Sequence, residues 1–157
     1  MKITLLVIGK TEESYLREGI MEYAGRVKRY MPFEMKEIPA VRETKSVPVT
    51  DQKRKEATLL EKFIGETDVV VLLDEHGKET GSVEFAGFLN KQFSAGRKNL
   101  VFVVGGPFGF DDSLKKRADH LLSLSQMTFS HQMVRLIFLE QLYRAMTILR
   151  NESYHHE

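Results

Sequence analysis

Short apolar runs alternate along this chain with longer segments in which apolar residues recur every three or four positions. The runs predict five strands, near residues 3–8, 33–38, 68–74, 100–104 and 121–124. The third and fourth of these are apolar throughout, which is typical of strands buried on both faces of a parallel sheet. The second strand has Glu34 and Lys36 between apolar neighbours and is predicted at a sheet edge.

The periodic segments predict five helices. The first runs from about Leu16 to Tyr30, has Glu12 and Glu13 in its first turn, and ends before Pro32. The others are predicted over about 51–64, from a Ser82 cap to Gly96, over about 111–118 from Asp111, Asp112 and Ser113, and after a Ser130 cap. Strands that alternate with helices predict an α/β fold with a largely parallel sheet, here as one domain over residues 1–157.

Two connecting segments have no period and are predicted as loops. These are residues 40–49, expected to be mobile, and residues 75–78, expected as the exit from the third strand. The last helix is apolar over a wide arc, at Met133, Val134, Ile137, Phe138, Leu142, Ala145, Met146 and Leu149. So wide an arc needs two surfaces, and we expect the sheet to be one and a twofold-related copy of the chain to be the other.

Composition narrows the class of protein. The 157 residues include no cysteine, which excludes disulfides and thiolate metal sites. The apolar start of the chain is too short for a signal peptide or a membrane span, so we expect a cytoplasmic protein without a membrane partner. A formal net charge of +1 provides no global field for nucleic acid, so any RNA binding must come from local patches or a partner subunit.

The two segments that follow the fourth and fifth predicted strands are typical of loops that bind ligands. The fourth strand stops at Gly105 and Gly106, where backbone without a Cβ lets a flat ligand approach closely. A polar turn, residues 125–128, follows the fifth strand. Loops beyond the carboxyl ends of parallel strands are where ligands bind in α/β proteins. No Gly-x-Gly-x-x-Gly follows the first strand, which disfavours a dinucleotide site of the Rossmann type.

Several linked motifs resemble one known family over the whole chain. They are Val104-Gly-Gly-Pro-Phe-Gly109, Ser123-Leu-Ser-Gln-Met-Thr-Phe129, His131-Gln-Met-Val-Arg135, Glu140-Gln-Leu-Tyr-Arg-Ala145 and the terminal Tyr154-His155. The chain is similar in these to the ribosomal RNA large-subunit methyltransferase H family of the SPOUT class. It differs from the usual family pattern at Ser130, where proline is common, and at His156, where an arginine or lysine is common.

The resemblance implies a fold, an activity and partners. The fold would be a SPOUT-type parallel sheet with helices on both faces and a deep C-terminal trefoil knot, in a homodimer. The activity would be methylation of N3 of a pseudouridine in helix 69 of 23S rRNA, within the large subunit or the whole ribosome. The methyl donor would be S-adenosylmethionine, with no metal.

The resemblance also implies site residues. The cofactor pocket would contain Leu73, Gly105, Leu124, Ser125, Gln126, Met127, Thr128 and Phe129. The imide N3 must lose its proton, so we assign His155 as proton acceptor or anion stabiliser and Tyr154 as the residue that orients or stacks on the base. The alternative for this tail is a frayed chain end without a function.

Other residues keep two interpretations. His131 is either a contact to substrate or cofactor, or a capping or core histidine. A metal site from His131, His155 and His156 is disfavoured because no carboxylate has ligand-like spacing. Three basic clusters are interpreted as solvated helix faces: Arg26/Lys28/Arg29, Lys53/Arg54/Lys55 and Lys115/Lys116/Arg117. Arg135, Arg144 and Arg150 are the better candidates for RNA phosphate or dimer contacts.

Two other function classes remain open from the sequence. One is a ribosome-associated RNA-binding protein that has kept the fold without catalysis, and it should not bind S-adenosylmethionine. The other is an enzyme acting on small nucleotides, and it should turn over free nucleosides without ribosomes.

Overall fold

The fold is described from a computed structural model, over residues 1–41 and 46–156. Strands and helices alternate as expected, which confirms the predicted α/β class. Their bounds in chain order are β1 Lys2–Ile8, α1 Ser14–Lys28, β2 Phe33–Ile38, α2 Val49–Glu61, β3 Val69–Glu79, α3 Ser82–Ser94, β4 Asn99–Val104, α4 Asp112–Arg117, β5 His120–Ser123 and α5 Met133–Leu149.

The five strands form one parallel sheet in the order β2-β1-β4-β3-β5. The prediction of β2 at an edge is therefore confirmed. The central strand β4 lies between β1 and β3, and the register pairs Val104 with both Val7 and Leu73. Because all strands run the same way, the carboxyl ends of β3, β4 and β5 open at one edge of the sheet.

Alternate residues of each strand enter two different cores. Leu100, Phe102 and Val104 of β4 join the core beneath α1, α3 and α5, where Phe102 packs on Phe138 with ring centroids 4.7 Å apart. Val101 and Val103 join the smaller core beneath α2 and α4. Helices thus cover both faces of the sheet, which explains why β4 and the first five residues of β3 are apolar at nearly every position.

Strand β3 is longer than the sequence pattern predicts. The expected exit loop, residues 75–78, instead continues the strand to Glu79, with a break in register between Leu73 and Lys78. Gly77 makes this possible, since a Cβ there would lie 2.6 Å from the backbone carbon of Leu121. The sequence does not predict this continuation of the strand, because Gly77 and its polar neighbours have the composition of a turn.

Helix starts differ in detail from the predictions. Gly81, not Ser82, is the N-cap residue of α3, and the Ser82 hydroxyl donates instead to Gln141 Oε1 at 2.8 Å. Glu13 is the N-cap residue of α1, so Glu12 and Glu13 lie outside its first turn. The predicted start of α4 is confirmed, because the Asp111 carboxylate accepts from the Ser113 amide at 3.1 Å.

The segment before α2 and the lengths of the helices remain to be compared with the predictions. The predicted loop 40–49 lies partly outside the described residues, and its last residue, Val49, begins α2. Over residues 1–41 and 46–156, no helix combines the length and apolar character needed to cross a bilayer.

Candidate functional site

A cavity of about 440 Å³ lies at the carboxyl ends of β3, β4 and β5. Most of its lining comes from three segments, residues 73–76, 104–110 and 122–129. Its volume is within the range of about 300–1,000 Å³ that is usual for small-molecule sites. This is the edge of the sheet at which the sequence predicts ligand loops.

The first wall of the cavity is the glycine loop after β4. Gly106 bonds to Gly109 across a tight turn, in which the Gly109 amide donates to the Gly106 carbonyl at 3.2 Å. Gly109 has a φ of +82°, a conformation that favours glycine. A Cβ on Gly106 would lie 2.8 Å from Oε1 of the buried Glu56, so a side chain at this position would require the Glu56 carboxylate or the loop to move.

The second wall is the polar turn after β5. The Ser123 hydroxyl donates to the Ser125 carbonyl at 2.8 Å, and the Ser125 hydroxyl accepts from the Met127 amide at 2.9 Å. The Thr128 hydroxyl donates to the Glu75 carboxylate at 2.7 Å, which ties the turn to the extended part of β3. These bonds hold the turn beside the glycine loop.

The structure brings together almost all residues predicted to bind the cofactor. Leu73, Gly105, Leu124, Ser125, Met127, Thr128 and Phe129 line the cavity. Gln126 does not, since its amide points to the Glu79 carboxylate at 3.4 Å. Leu73, Leu124, Met127 and Phe129 give the cavity an apolar portion, whereas the backbone of both loops provides polar groups.

Several lining residues were not predicted as site residues. Lys53 and Lys115 line the cavity, although the sequence places them in clusters interpreted as solvated. Phe108 also lines it and is 42% exposed. His131 lines the cavity as well, which favours neither of its two interpretations. A sequence signal existed for Phe108, an aromatic residue between glycines in a loop, but none distinguished the two lysines from their neighbours.

Arg135 has a structural role and is no RNA contact. Its side chain is fully buried, and its guanidinium donates to the carbonyls of Ile8 at 2.7 Å and Gly9 at 2.9 Å. It also donates to the Thr11 hydroxyl at 3.0 Å and the His131 carbonyl at 3.0 Å. Burial lowers the pKa of Arg135. The interpretation of Arg135 as a phosphate or dimer contact is therefore wrong.

The two predicted catalytic residues lie on the tail, packed on α5 at a distance from the cavity. They form a cluster with two residues of that helix, and this group of Glu140, Arg144, Tyr154 and His155 is called the tail cluster below. The Arg144 guanidinium donates to Glu140 at 2.6 Å and to His155 Nδ1 at 3.2 Å. No residue of the tail as far as His156 lines the cavity.

Tyr154 is held from several sides. Its hydroxyl donates to Glu140 at 3.0 Å and lies 3.4 Å from the Tyr23 hydroxyl, and its ring meets Tyr143 edge to face at 4.7 Å. Burial and these hydrogen bonds raise the pKa of Tyr154. The tail is also held at Glu152, whose carboxylate accepts a hydrogen bond from the Tyr30 hydroxyl at 2.6 Å. This hydrogen bond raises the pKa of Tyr30 to about 12. The tail is thus docked on α1 and α5 as far as His155, which contradicts the alternative of a frayed end.

No group of three or more His, Cys, Asp or Glu side chains in residues 1–41 and 46–156 is arranged to hold a metal ion. Arg150, the remaining arginine considered for RNA or dimer contacts, is exposed and lies over Tyr30 with its guanidinium carbon 6.0 Å from the ring centroid.

Solved structures with low sequence identity share this fold. A probable methylase family protein from Haemophilus influenzae Rd KW20 aligns with a TM-score of 0.55 at 11% identity, over 99% of this chain and 70% of that one. A probable methyltransferase from Bordetella pertussis Tohama I aligns with a TM-score of 0.55 at 10% identity, over 92% of this chain and 93% of that one. At such identities the likeness concerns the fold alone.

Sequence relatives are much closer. A protein of Parabacteroides distasonis named "Ribosomal RNA large subunit methyltransferase H" is 54% identical, and one of Bacteroides thetaiotaomicron with the same name is 50% identical. Both matches cover all of this chain and all of the relative. The family model described as "Predicted SPOUT methyltransferase" matches residues 1–155. This chain therefore belongs to the ribosomal RNA large subunit methyltransferase H family, within the SPOUT methyltransferases.

Proposed function

We propose that this methyltransferase transfers a methyl group from S-adenosylmethionine to N3 of a pseudouridine in helix 69 of 23S rRNA, on the assembled large subunit or ribosome. The observation that carries the proposal is the cavity, in which seven of the eight residues implied by the family motifs lie together. The membership of the chain in an rRNA methyltransferase family supports the substrate class.

The cavity fits the methyl donor chemically. Leu73, Leu124, Met127 and Phe129 offer an apolar slot for adenine, and the backbone of the glycine loop and the polar turn offers hydrogen bonds to its edge. Asp74 and Glu75 also line the cavity and favour a ligand with positive charge. When bound, the donor supplies an electrophilic methyl group on a sulfonium.

We assign His155 as the residue that contacts the pseudouridine base, which accepts the methyl group. Because a guanidinium only donates hydrogen bonds, the contact with Arg144 makes His155 Nδ1 the acceptor. A neutral imidazole in this state carries its proton on Nε2, which is then a donor. This favours the anion-stabilising role of His155 over the proton-accepting one, since a donor at Nε2 would stabilise the charge that remains on the imide after its N3 proton has passed to water.

Tyr154 is assigned as the residue that orients His155. One face of its ring is covered by the Arg144 guanidinium, whose carbon lies 4.8 Å from the ring centroid, and its hydroxyl is bonded to Glu140. These contacts favour the orienting role of Tyr154 over stacking on the base. Arg144 joins the two residues, because it contacts both.

A homodimer is part of the proposal. The cavity includes Val134 in the first turn of α5, whereas the tail cluster includes Arg144, ten residues further along the helix. At 1.5 Å per residue, Glu140 lies roughly 9 Å from Val134 along the helix axis, and Arg144, which contacts His155, lies roughly 15 Å from it. A twofold-related copy would bring its tail to this cavity, and Met21, which is 74% exposed on α1, offers apolar surface for it.

We include the trefoil knot in the proposal because of the path that residues 124–132 follow. This segment bonds on one side to β3 through Thr128 and Glu75, and on the other to the end of β1, where the Gln132 amide donates to the Lys10 carbonyl at 3.0 Å. A chain that passes between two such segments before entering α5 is compatible with a threaded path. Because its substrate is the ribosome, we place the enzyme in the cytoplasm.

Mass spectrometry of rRNA tests the function. We expect ribosomes from a strain lacking the gene to carry one methyl group fewer on 23S rRNA, and the purified protein to restore it with S-adenosylmethionine. His155→Ala should lower kcat at least about 100-fold, the lower range for an electrostatic transition-state contact. His156→Ala, a change at the exposed neighbouring histidine, is the matched control and should retain most activity.

Three results would contradict the proposal. Wild-type turnover by His155→Ala would remove His155 from the mechanism. Failure to bind S-adenosylmethionine at millimolar concentration would favour a non-catalytic ribosome binder. Methylation of free nucleosides without ribosomes would favour an enzyme of small nucleotides.

A further inference from the structure

The outer rim of the cavity combines two cations with an exposed aromatic ring. Lys53 extends from α2, Lys115 extends from α4, Phe108 lies at the tip of the glycine loop, and all three line the cavity. These three residues are called the Phe108 rim below. They lie on the side of the cavity covered by α2 and α4, whereas the polar turn and α5 form the other side.

The two lysines have no acidic partner that would neutralise them. Over residues 1–41 and 46–156, no carboxylate lies within 4.0 Å of either ammonium nitrogen. Asp111 is close enough for Lys53 and Arg54 to contribute to the lowering of its pKa, but its main partners are the Ser113 hydroxyl and amide. Both lysines are half-buried, and both line the cavity.

Phe108 is presented to solvent by backbone geometry. The turn from Gly106 to Gly109 is closed by its own hydrogen bond, and Gly106 is pressed against Glu56. The ring projects from this turn and remains 42% exposed, whereas Phe110, two residues later, is buried beneath α2 and α4. An exposed ring beside two cations matches a nucleotide, whose base stacks on aromatic rings and whose phosphate binds ammonium groups.

We propose that the Phe108 rim binds a nucleotide of the substrate RNA that flanks the methylated one, with its base stacked on Phe108 and phosphates on Lys53 and Lys115. This inference rests on the proposed function and extends it to the RNA contacts of the cavity. It explains how a chain with a net charge of +1 holds RNA, since the cations are concentrated beside the site. RNA loops are recognised in this way, by stacking of splayed bases and by phosphate contacts.

The chain offers matched controls for each rim residue. Lys55 and Lys116 are exposed lysines on the same two helices that do not line the cavity. Phe63 is 43% exposed and lies instead beside Lys36, with the ammonium 5.1 Å from its ring centroid. We would therefore compare Lys53→Gln with Lys55→Gln, Lys115→Gln with Lys116→Gln, and Phe108→Leu with Phe63→Leu.

Three measurements on the full-length protein test the inference. Steady-state methylation of unmodified ribosomes gives KM and kcat, calorimetry gives the Kd for S-adenosylmethionine, and binding of ribosomes without donor is followed against salt. We expect Lys53→Gln, Lys115→Gln and Phe108→Leu each to raise KM for ribosomes about fivefold with kcat and donor Kd unchanged. Each lysine variant should also reduce the slope of log affinity against log salt by about 0.7. Phe108→Trp keeps an aromatic ring and, unlike Phe108→Leu, should bind ribosomes with wild-type affinity.

The outcomes separate this inference from the proposed function. If the wild-type protein methylates ribosomes and the rim variants behave as their controls, the rim inference fails alone. If the lysine variants raise the Kd for S-adenosylmethionine, the two cations serve the donor and the inference is overturned. If the wild-type protein binds ribosomes without methylating them, the proposed activity fails. The binding and salt measurements then still show whether the Phe108 rim binds RNA. If it neither binds nor methylates ribosomes, both fail.

Discussion

Arg135 shows how a single charged residue can be misjudged from sequence. Its spacing on α5 is compatible with a surface cation, and the sequence near it contains no acidic partner. In the structure its partners are instead four oxygen atoms at the carboxyl end of β1 and at the start of α5, three of them backbone carbonyls. Carbonyl groups are present at every residue, so a cation that binds them leaves no trace in composition or charge pattern.

Replacement of Arg135 should destabilise the protein strongly. Arg135→Met keeps much of the apolar stem but leaves the carbonyls of Ile8 and Gly9 without this donor in a buried place. We expect a loss on the order of 3 kcal/mol in the free energy of unfolding, measured by urea denaturation. Thr11→Val removes one of the four acceptors and should lose only about 1 kcal/mol. Equal, small losses in both variants would contradict the structural role of Arg135.

The glycine motif is easier to interpret from the sequence than the tail motif. Gly105 and Gly106 end an apolar run, and the position of that run in a parallel sheet predicts where the loop lies. The contacts between Arg144, Tyr154 and His155 were beyond the sequence, because they depend on the tail folding back onto α5. Local pattern thus predicts loops at strand ends but not contacts made by a returning chain end.

At the scale of elements, the main departure from prediction concerns β3. Its first part is a run of branched apolar residues and was predicted, whereas residues 75–79 are polar and include a glycine. Lys78 and Glu79 pair with β5 beyond a break in register, and the backbone of Leu121 and Leu122 passes close to Gly77. The extension holds Glu75 where it accepts from Thr128, so it also supports one wall of the cavity.

Substitution of Gly77 tests this extension. Gly77→Ala places a Cβ within 2.6–2.8 Å of the β5 backbone, so one strand must move. We expect a loss of about 2 kcal/mol in the free energy of unfolding and weaker binding of S-adenosylmethionine by calorimetry. Gly87→Ala is the control, since a Cβ there meets nothing within 4 Å and alanine favours the interior of α3. A stable Gly77→Ala variant with unchanged donor affinity would contradict the close approach.

The strand and helix order was predictable because each buried element has its own period. Apolar runs and amphipathic segments alternate along the sequence, and the sheet order then brings the ends of β3, β4 and β5 together. Capping was less predictable: Asp111 caps α4 as expected, but the Ser82 hydroxyl bonds across to α5. A serine at a helix start has several possible acceptors, and tertiary packing decides among them.

At the scale of the whole molecule, α5 sets the separation of the two groups proposed for the reaction. Its first turn contributes to the cavity and its later turns carry the tail cluster. The helix is rigid, since Phe138, Leu139, Leu142 and Ala145 are fully buried against the sheet and its neighbours. Arg144, the helix residue that contacts His155, lies roughly 15 Å from Val134 along the helix axis, so a second copy is the simplest way to bring a His155 to the cavity.

Mixed dimers test this arrangement. Thr128→Trp places a large ring in the cavity from an exposed position, and calorimetry should show that it no longer binds S-adenosylmethionine. His155→Ala keeps the cavity but lacks the proposed tail group. If the sites are shared, co-expression of the two inactive variants gives mixed dimers with one complete site, and the mixture should recover about a quarter of wild-type activity.

The recovery depends on where the tail acts. In a mixed dimer the tail of the Thr128→Trp chain meets the cavity of the His155→Ala chain, so one active pair is formed from two inactive chains. If each tail instead served the cavity of its own chain, every chain in the mixture would lack one component and activity would stay at background. Sedimentation of the same sample should show dimers, since recovery of activity by monomers would contradict the shared site equally.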